Sequence, residues 1–177
     1  YIDNLTEAHK VLVKEFSSTL FTIAKDVKLQ IEFNPAQVKA YRLIGYENRL
    51  LNDEDFNNDA KDAGEMGAGH SVTALYEIIP ASSQSAAIAS ADPLRYQQSF
   101  THKALEQDLM NIKVRYKKPG EQESQKVDQV LLAKALPLAK SSENFQFSTA
   151  VAGFGLLLRQ SKYLGELSYP EVLKLAR

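Results

Sequence analysis

Met110-Asn111-Ile112-Lys113-Val114-Arg115-Tyr116-Lys117 is the stretch that decides the fold class. Apolar and polar residues alternate without a break, so one face is buried and the other wetted, as in a β-strand that covers a core. Lys118-Pro119-Gly120-Glu121 follows, with Pro and Gly at the two central positions that a type II turn prefers. The chain then returns around Gln125 to Leu132, which makes a hairpin. The pattern of that return is ambiguous, because Val127, Val130, Leu131 and Ala135 also suit one helix face.

Upstream, Val27, Leu29, Ile31 and Phe33 alternate with Lys28, Gln30 and Glu32, and Asn34-Pro35 closes this second strand pattern. Tyr41 to Tyr46 is a further strand, with Gly45 marking a bulge, and Val72 to Ile79 another. The latter is apolar on both faces in places, which predicts a central position. Residues 4–26 carry an apolar stripe at helical spacing: Leu5, Ala8, Leu12, Phe16, Leu20 and Ile23, continuing to Val27. Asn4-Leu5-Thr6-Glu7 is an Asn-led variant of the capping box. Residues 145–160 read as a helix with Phe147, Val151, Phe154 and Leu158 on one stripe, Ala150 and Leu157 flanking it, and Gly153 and Gly155 allowing close packing. Ser168-Tyr169-Pro170-Glu171 starts a last helix, with Val172, Leu173 and Ala176 facing inward. The expected architecture is α+β: an antiparallel sheet or small β-sandwich of about five strands, with N- and C-terminal helices packed on it.

Composition bounds the function classes. The 177 residues are 44% hydrophobic and 24% charged with a formal net charge of -1, ordinary globular usage that favours neither nucleic acid nor an anionic membrane. No apolar run reaches the roughly 20 residues that span a bilayer, so this stretch is not expected to insert into a membrane. The chain has no Cys, which removes disulfides, thiolate metal sites and a thiol nucleophile. It begins at Tyr1 without an initiator Met and is read as cut from something longer.

Residues 50–70 form a polar loop. Within loop 52–62, Asp53, Asp55, Asn57 and Asp59 alternate as hard oxygen donors of the kind Ca²⁺ takes. The EF-hand spacing fails: counting from Asp53, position six is Asn58, position nine Lys61 and position twelve Gly64. The alternative is a solvated loop whose Asn and Asp serve turn hydrogen bonds. Gly64, Gly67 and Gly69 precede a strand instead of opening a helix, so a phosphate loop is disfavoured and positive-φ connections are expected. His70, with Asp62 and Glu65 near it in sequence, could form an acid–base unit or an interaction loop. Nothing supplies a nucleophile, and a histidine bonded to loop backbone is the simpler account. His9 and His102 fall on polar helix surfaces, and the three histidines share no metal-ligand spacing. Lys113, Arg115, Lys117 and Lys118 make a basic strand face without interleaved exposed aromatics, read as a solvated face or a protected edge. No cofactor is expected.

The run Tyr41 to Arg49, then Asp55-Phe56, then Asp62-Ala63-Gly64-Glu65-Met66-Gly67-Ala68-Gly69-His70 and Val72 to Glu77 resembles the C-terminal domain of unknown function of bacterial proteins that carry a von Willebrand factor type A (VWA) domain. Phe147 to Arg159 resembles that domain's helical end. The resemblance implies a non-catalytic protein-interaction or scaffold module at the cell envelope or surface, in intramolecular contact with a preceding VWA domain and with an unknown protein partner. It also implies that residues 1–26 are the last helix of that VWA domain and that 27–177 are the C-terminal domain. The Asp-x-Ser-x-Ser run of the VWA metal site is not in this chain, so no metal ligand is carried over. The rival readings are a Ca²⁺-stabilised structural or adhesion module built on loop 52–62, and a hydrolytic enzyme using His70 and its neighbouring carboxylates.

Overall fold

A computed structural model of the chain describes residues 4–14, 21–45, 50–83 and 107–177. A short helix α1 (Leu5–His9) runs into a π turn (Lys10–Lys14). Six strands follow among the described residues: β1 (Thr22–Phe33), β2 (Val38–Ile44), β3 (Gly64–Gly67), β4 (Leu75–Pro80), β5 (Asp108–Lys117) and β6 (Gln125–Leu132). Two helices close the chain, α2 (Glu143–Leu158) and α3 (Tyr169–Leu175). The strands make a four-stranded antiparallel sheet in the order β3-β1-β5-β6 and a two-stranded antiparallel ribbon of β2 and β4. The class is α+β, as expected, but the strands divide into these two sheets.

The β5–β6 hairpin carries the large sheet. Its turn has Gly120 at φ +85° and the Glu121 N–H donating to the Lys118 carbonyl at 3.0 Å, the geometry the Pro-Gly pair dictates. Pairing of β1 with β5 then sorts the side chains by parity. Leu29 faces Val114, Ile31 faces Ile112 and Phe33 faces Met110, and Val114 in turn faces Val127 of β6. Lys28, Gln30 and Glu32 take the other face, beside Arg115, Lys113 and Asn111. Asn34 fixes the exit from β1: its side-chain amide donates to the Asp108 carbonyl at 2.7 Å, and its own carbonyl accepts from Val38 at 2.9 Å.

Several expectations need correction. The helix over 4–26 does not reach Asp26, because Thr22–Asp26 already belong to β1; Ile23 and Val27 suit either period, and pairing with β3 and β5 decides for the strand. The strand expected at Tyr41–Tyr46 starts earlier, at Val38, and ends at Ile44; Tyr46 lies outside the described residues. Part of the glycine run is itself a strand, β3, and of its glycines Gly69 takes a positive φ, at +75°. The strand expected at Val72 begins at Leu75, and among the described residues its one partner is β2 in a two-stranded ribbon, so it is not central there.

The stripe read on α2 is not its buried face. Phe147, Val151, Phe154 and Leu158 are exposed, whereas Ala150, Gly153 and Leu156 are buried. Gly153 sets this rotation. A Cβ there would lie 3.1 Å from Val172 Cγ2 and 3.2 Å from Leu167 Cδ2, so α3 and the segment before it close on a residue without a side chain. The capping box at Ser168 forms, with the Ser168 N–H donating to Glu171 Oε2 at 2.8 Å. Of the residues expected to face inward from α3, Val172 is buried, while Leu173 and Ala176 are exposed.

This packing predicts opposite outcomes for two neighbouring glycines. Gly153→Leu forces a branched side chain into the α2–α3 contact and lowers stability by about 1–3 kcal/mol. Gly155→Ala meets nothing within 4 Å and gains up to about 1 kcal/mol of helix propensity. Chemical denaturation of the two variants checks both signs.

Candidate functional site

The polar face of the large sheet holds the acidic loop. Lys28 is the sole buried charged residue among those described, at 4% exposure. A buried ammonium requires partners for its donors, since leaving it dry and unpaired costs several kcal/mol. Lys28 Nζ donates to the carbonyl oxygens of Asp55 (3.2 Å) and Asn58, the last turns of the 3₁₀ segment Asp53–Asn57. Phe56, in the same turn, is buried beside β1.

Two further cations complete the clasp. Arg115 donates to Asn57 Oδ1 at 3.1 Å, to Asp59 Oδ1 at 3.2 Å and to Ser124 Oγ at the entry to β6. Asp59 Oδ2 accepts the Ser124 N–H at 3.2 Å, so one carboxylate ties the loop to both strands of the hairpin. Lys117 Nζ donates to Asp26 Oδ2 at 2.8 Å and to the Asp59 carbonyl at 2.6 Å. Lys28 and Arg115 are direct cross-strand neighbours, an arrangement that like charges disfavour. The loop carbonyls and the Asp26 and Asp59 carboxylates offset that repulsion.

Asp26 reaches Lys117 because β1 carries an extra residue there. The register slips between Lys25 and Lys28, and Asp26 sits at φ +50°. A bulge re-aims one side chain, and Asp tolerates the left-handed region better than most residues. Its other oxygen accepts the Ala63 N–H at 3.1 Å. Lys117 first, and then the Ala63 amide, hold the Asp26 carboxyl below the usual carboxylate range. Ser124, and after it Arg115, do the same for Asp59.

The residues singled out from the sequence therefore have these places. Asn57 and Asp59 direct oxygens at Arg115; Asp55 Oδ2 accepts from Asn52 at 3.3 Å and pairs with Lys61 at 3.6 Å; Asp53 is exposed. Among the described residues no three His, Asp or Glu side chains converge as a metal ion would need. Glu65 lies on β3, accepting from Thr22 Oγ1 at 3.4 Å and pairing with Lys25 at 3.8 Å. Asp62 and His70 are exposed; the His70 backbone N–H donates to the Gly67 carbonyl at 3.1 Å, and its side chain joins neither Asp62 nor Glu65. His9 is in α1, and His102 lies outside the described residues. The basic strand face is not an edge, since β5 is internal; Arg115 and Lys117 are engaged by the loop, while Lys118, just past β5, is exposed. Sequence reading missed Lys28, Asp26 and Ser124. Their one local signal is the Lys28–Arg115 cross-strand pair, which demands a counter-charge once β1 is set beside β5.

The opposite face of the sheet is apolar. Leu29, Ile31, Ile112, Val114, Tyr116, Val127 and Leu131 share it, and Leu29, Val127 and Leu131 remain exposed among the described residues. A second apolar feature is a cleft of about 370 Å³ between the β2–β4 ribbon and α2. Ile44, Leu75, Phe147, Val151 and Leu156 line it, with Arg159 at its border. Arg42 crosses from the ribbon to stack 4.3 Å from the Tyr163 ring centroid.

A family model described as "Uncharacterized protein YfbK, C-terminal" matches residues 18–177. The chain belongs to this family. The match takes in Thr22–Asp26, the part of β1 that carries the bulge. "Uncharacterized protein YfbK" of Escherichia coli (strain K12) is 43% identical over 183 residues, covering 100% of this chain and 30% of that relative. The chain thus spans about 30% of the length of the YfbK protein it matches. No solved structure matches.

The clasp predicts how stability responds to Asp26. Asp26→Asn keeps the shape and the tolerance of positive φ but removes the charge opposite Lys117, and at neutral pH it costs about 1–3 kcal/mol. A carboxyl held low contributes fully above its unfolded-chain value of about 3.9, and the contribution is lost as pH falls through the folded value. The gap between wild type and Asp26→Asn therefore closes on acidification below about pH 4. Urea unfolding across a pH series measures it.

Proposed function

We propose that this chain is a non-catalytic interaction or scaffold module that accompanies a VWA domain in a bacterial envelope or surface protein. The observation that carries the reading is the division of its surface chemistry. The cations and carboxylates of the polar sheet face are engaged with one another, while large apolar side chains stand open on α2. Phe147 and Leu158 are 57% and 61% exposed, with Val151 and Phe154 beside them on the same helix. A contiguous apolar helix face of this kind is the usual mark of a protein-binding surface. Aromatic residues there serve as anchors, since truncating a buried interface aromatic commonly costs 2 kcal/mol or more.

Among the described residues no set of nucleophile, base and orienting group comes together around His70, and the family resemblance adds no catalytic motif. Both features support a binding role over hydrolysis. The apolar cleft beside Phe147 and Val151 offers a receptacle for an apolar side chain of the partner.

The test is binding of this chain to the separately produced VWA domain of its parent protein. Phe147→Ala is expected to weaken that binding at least tenfold, with an unfolding temperature within about 2 °C of wild type because the residue is exposed. Absence of binding by wild type, or equal affinity for Phe147→Ala, contradicts this reading.

A further inference from the structure

Strand β6 is an outer strand of the four-stranded sheet, and among the described residues nothing pairs with its free edge. It is eight residues long, contains neither Pro nor Gly, and pairs without a register slip over Gln125–Leu131; the one slip lies beyond, where β5 carries an extra residue between Asp108 and Met110. Native sheets blunt such edges or use them. We propose that the free edge of β6 is the seam of a two-fold dimer, in which two copies of this chain join their sheets antiparallel into one of eight strands.

The register follows from the sequence of the strand. A two-fold axis perpendicular to the sheet keeps each copy's apolar face on the same side. Residues that meet must then have the same parity, and the axis must pass through a residue. An axis at Lys126 sets Lys against Lys, and one at Asp128 sets Asp against Asp. An axis at Gln129 sets Lys126 against Leu132 and Asp128 against Val130. With the axis at Val127, Lys126 of each copy meets Asp128 of the other, Gln125 meets Gln129, and Val127 packs on its own symmetry mate. This is the register, among those at the centre of the strand, that pairs both charges.

The surroundings favour the same arrangement. Lys126 is already next to Arg115 on its inner side, so a carboxylate arriving from outside relieves a like-charge neighbour. Within one copy, Lys126 and Asp128 are 4.0 Å apart with side chains 51% and 42% exposed, which leaves both able to turn to a partner. Val127 is 53% exposed and stands at the border of the apolar face, so the junction makes that face continuous between copies. This dimer is independent of the α2 surface and of any VWA partner, and either can fail without the other.

Charge exchange tests it. Sedimentation equilibrium is run on the whole 177-residue chain at about 100 µM, where micromolar association is nearly complete. Wild type is expected to be dimeric. Lys126→Asp sets carboxylates against carboxylates and Asp128→Lys sets ammonium against ammonium, so each single variant should dissociate with at least a tenfold weaker Kd. An equimolar mixture of the two single variants restores both pairs and should dimerise, as should the double variant. A monomeric wild type overturns the proposal. So does a dimer indifferent to the single substitutions, or a mixture of single variants that stays monomeric.

Discussion

The ammonium of Lys28 is taken out of water between the sheet and the acidic loop, and most of the structure around it follows from satisfying that charge. Two loop carbonyls accept its hydrogen bonds, which requires the 3₁₀ turn at Asp53–Asn57 to lie against β1. Setting the loop there brings Asn57 and Asp59 to Arg115 and the Asp59 carbonyl to Lys117. The bulge at Asp26 supplies the remaining carboxylate. Buried polar clusters of this kind are costly when half satisfied and specific when complete. Here the cations come from β1 and β5, while their acceptors come from the loop, from β1 and from the start of β6.

The same parity that collects the cations on one face of the sheet leaves the other face apolar. Leu29, Ile31, Ile112 and Val114 are consequences of the alternation that places Lys28, Arg115 and Lys117. A sheet committed on its polar face to an internal clasp has its apolar face and its outer strand left for other contacts. The α2–α3 pair adds a second apolar surface, because Gly153 turns Ala150 and Leu156 inward and Phe147 and Leu158 outward. The binding role and the β6 seam both rest on these leftovers of the packing.

What was legible in the sequence was local. The β5 alternation, the Pro-Gly turn and the Ser168 capping box are each specified within a few residues, and each forms as read; the return, which also suited a helix face, forms the strand β6. The end of the first helix was not legible, because Ile23 and Val27 satisfy both a 3.6 and a 2 period and the partner strands lie some 40 and some 90 residues on. The buried face of α2 was not legible for a related reason: its aromatics make the larger stripe, but the glycine that admits α3 sets the rotation. The acidic loop was recognised as a cluster of oxygens, and its partners were not, since Arg115 and Lys117 are more than 50 residues away in sequence. Oxygen-rich loops read alike whether a cation or a guanidinium completes them.

The central claim is that Lys28 holds the acidic loop on the sheet, and amide hydrogen exchange of Lys28→Met tests it most directly. Methionine keeps the length and the apolar stem of the side chain but donates nothing to Asp55 or Asn58. The account predicts that the amides of Asn58, Lys61 and Ala63 exchange at least about tenfold faster, through local opening, while those of the β5–β6 hairpin keep their protection. Unchanged exchange in the loop would contradict it, and would mean that Arg115 and Lys117 hold the loop without the buried ammonium.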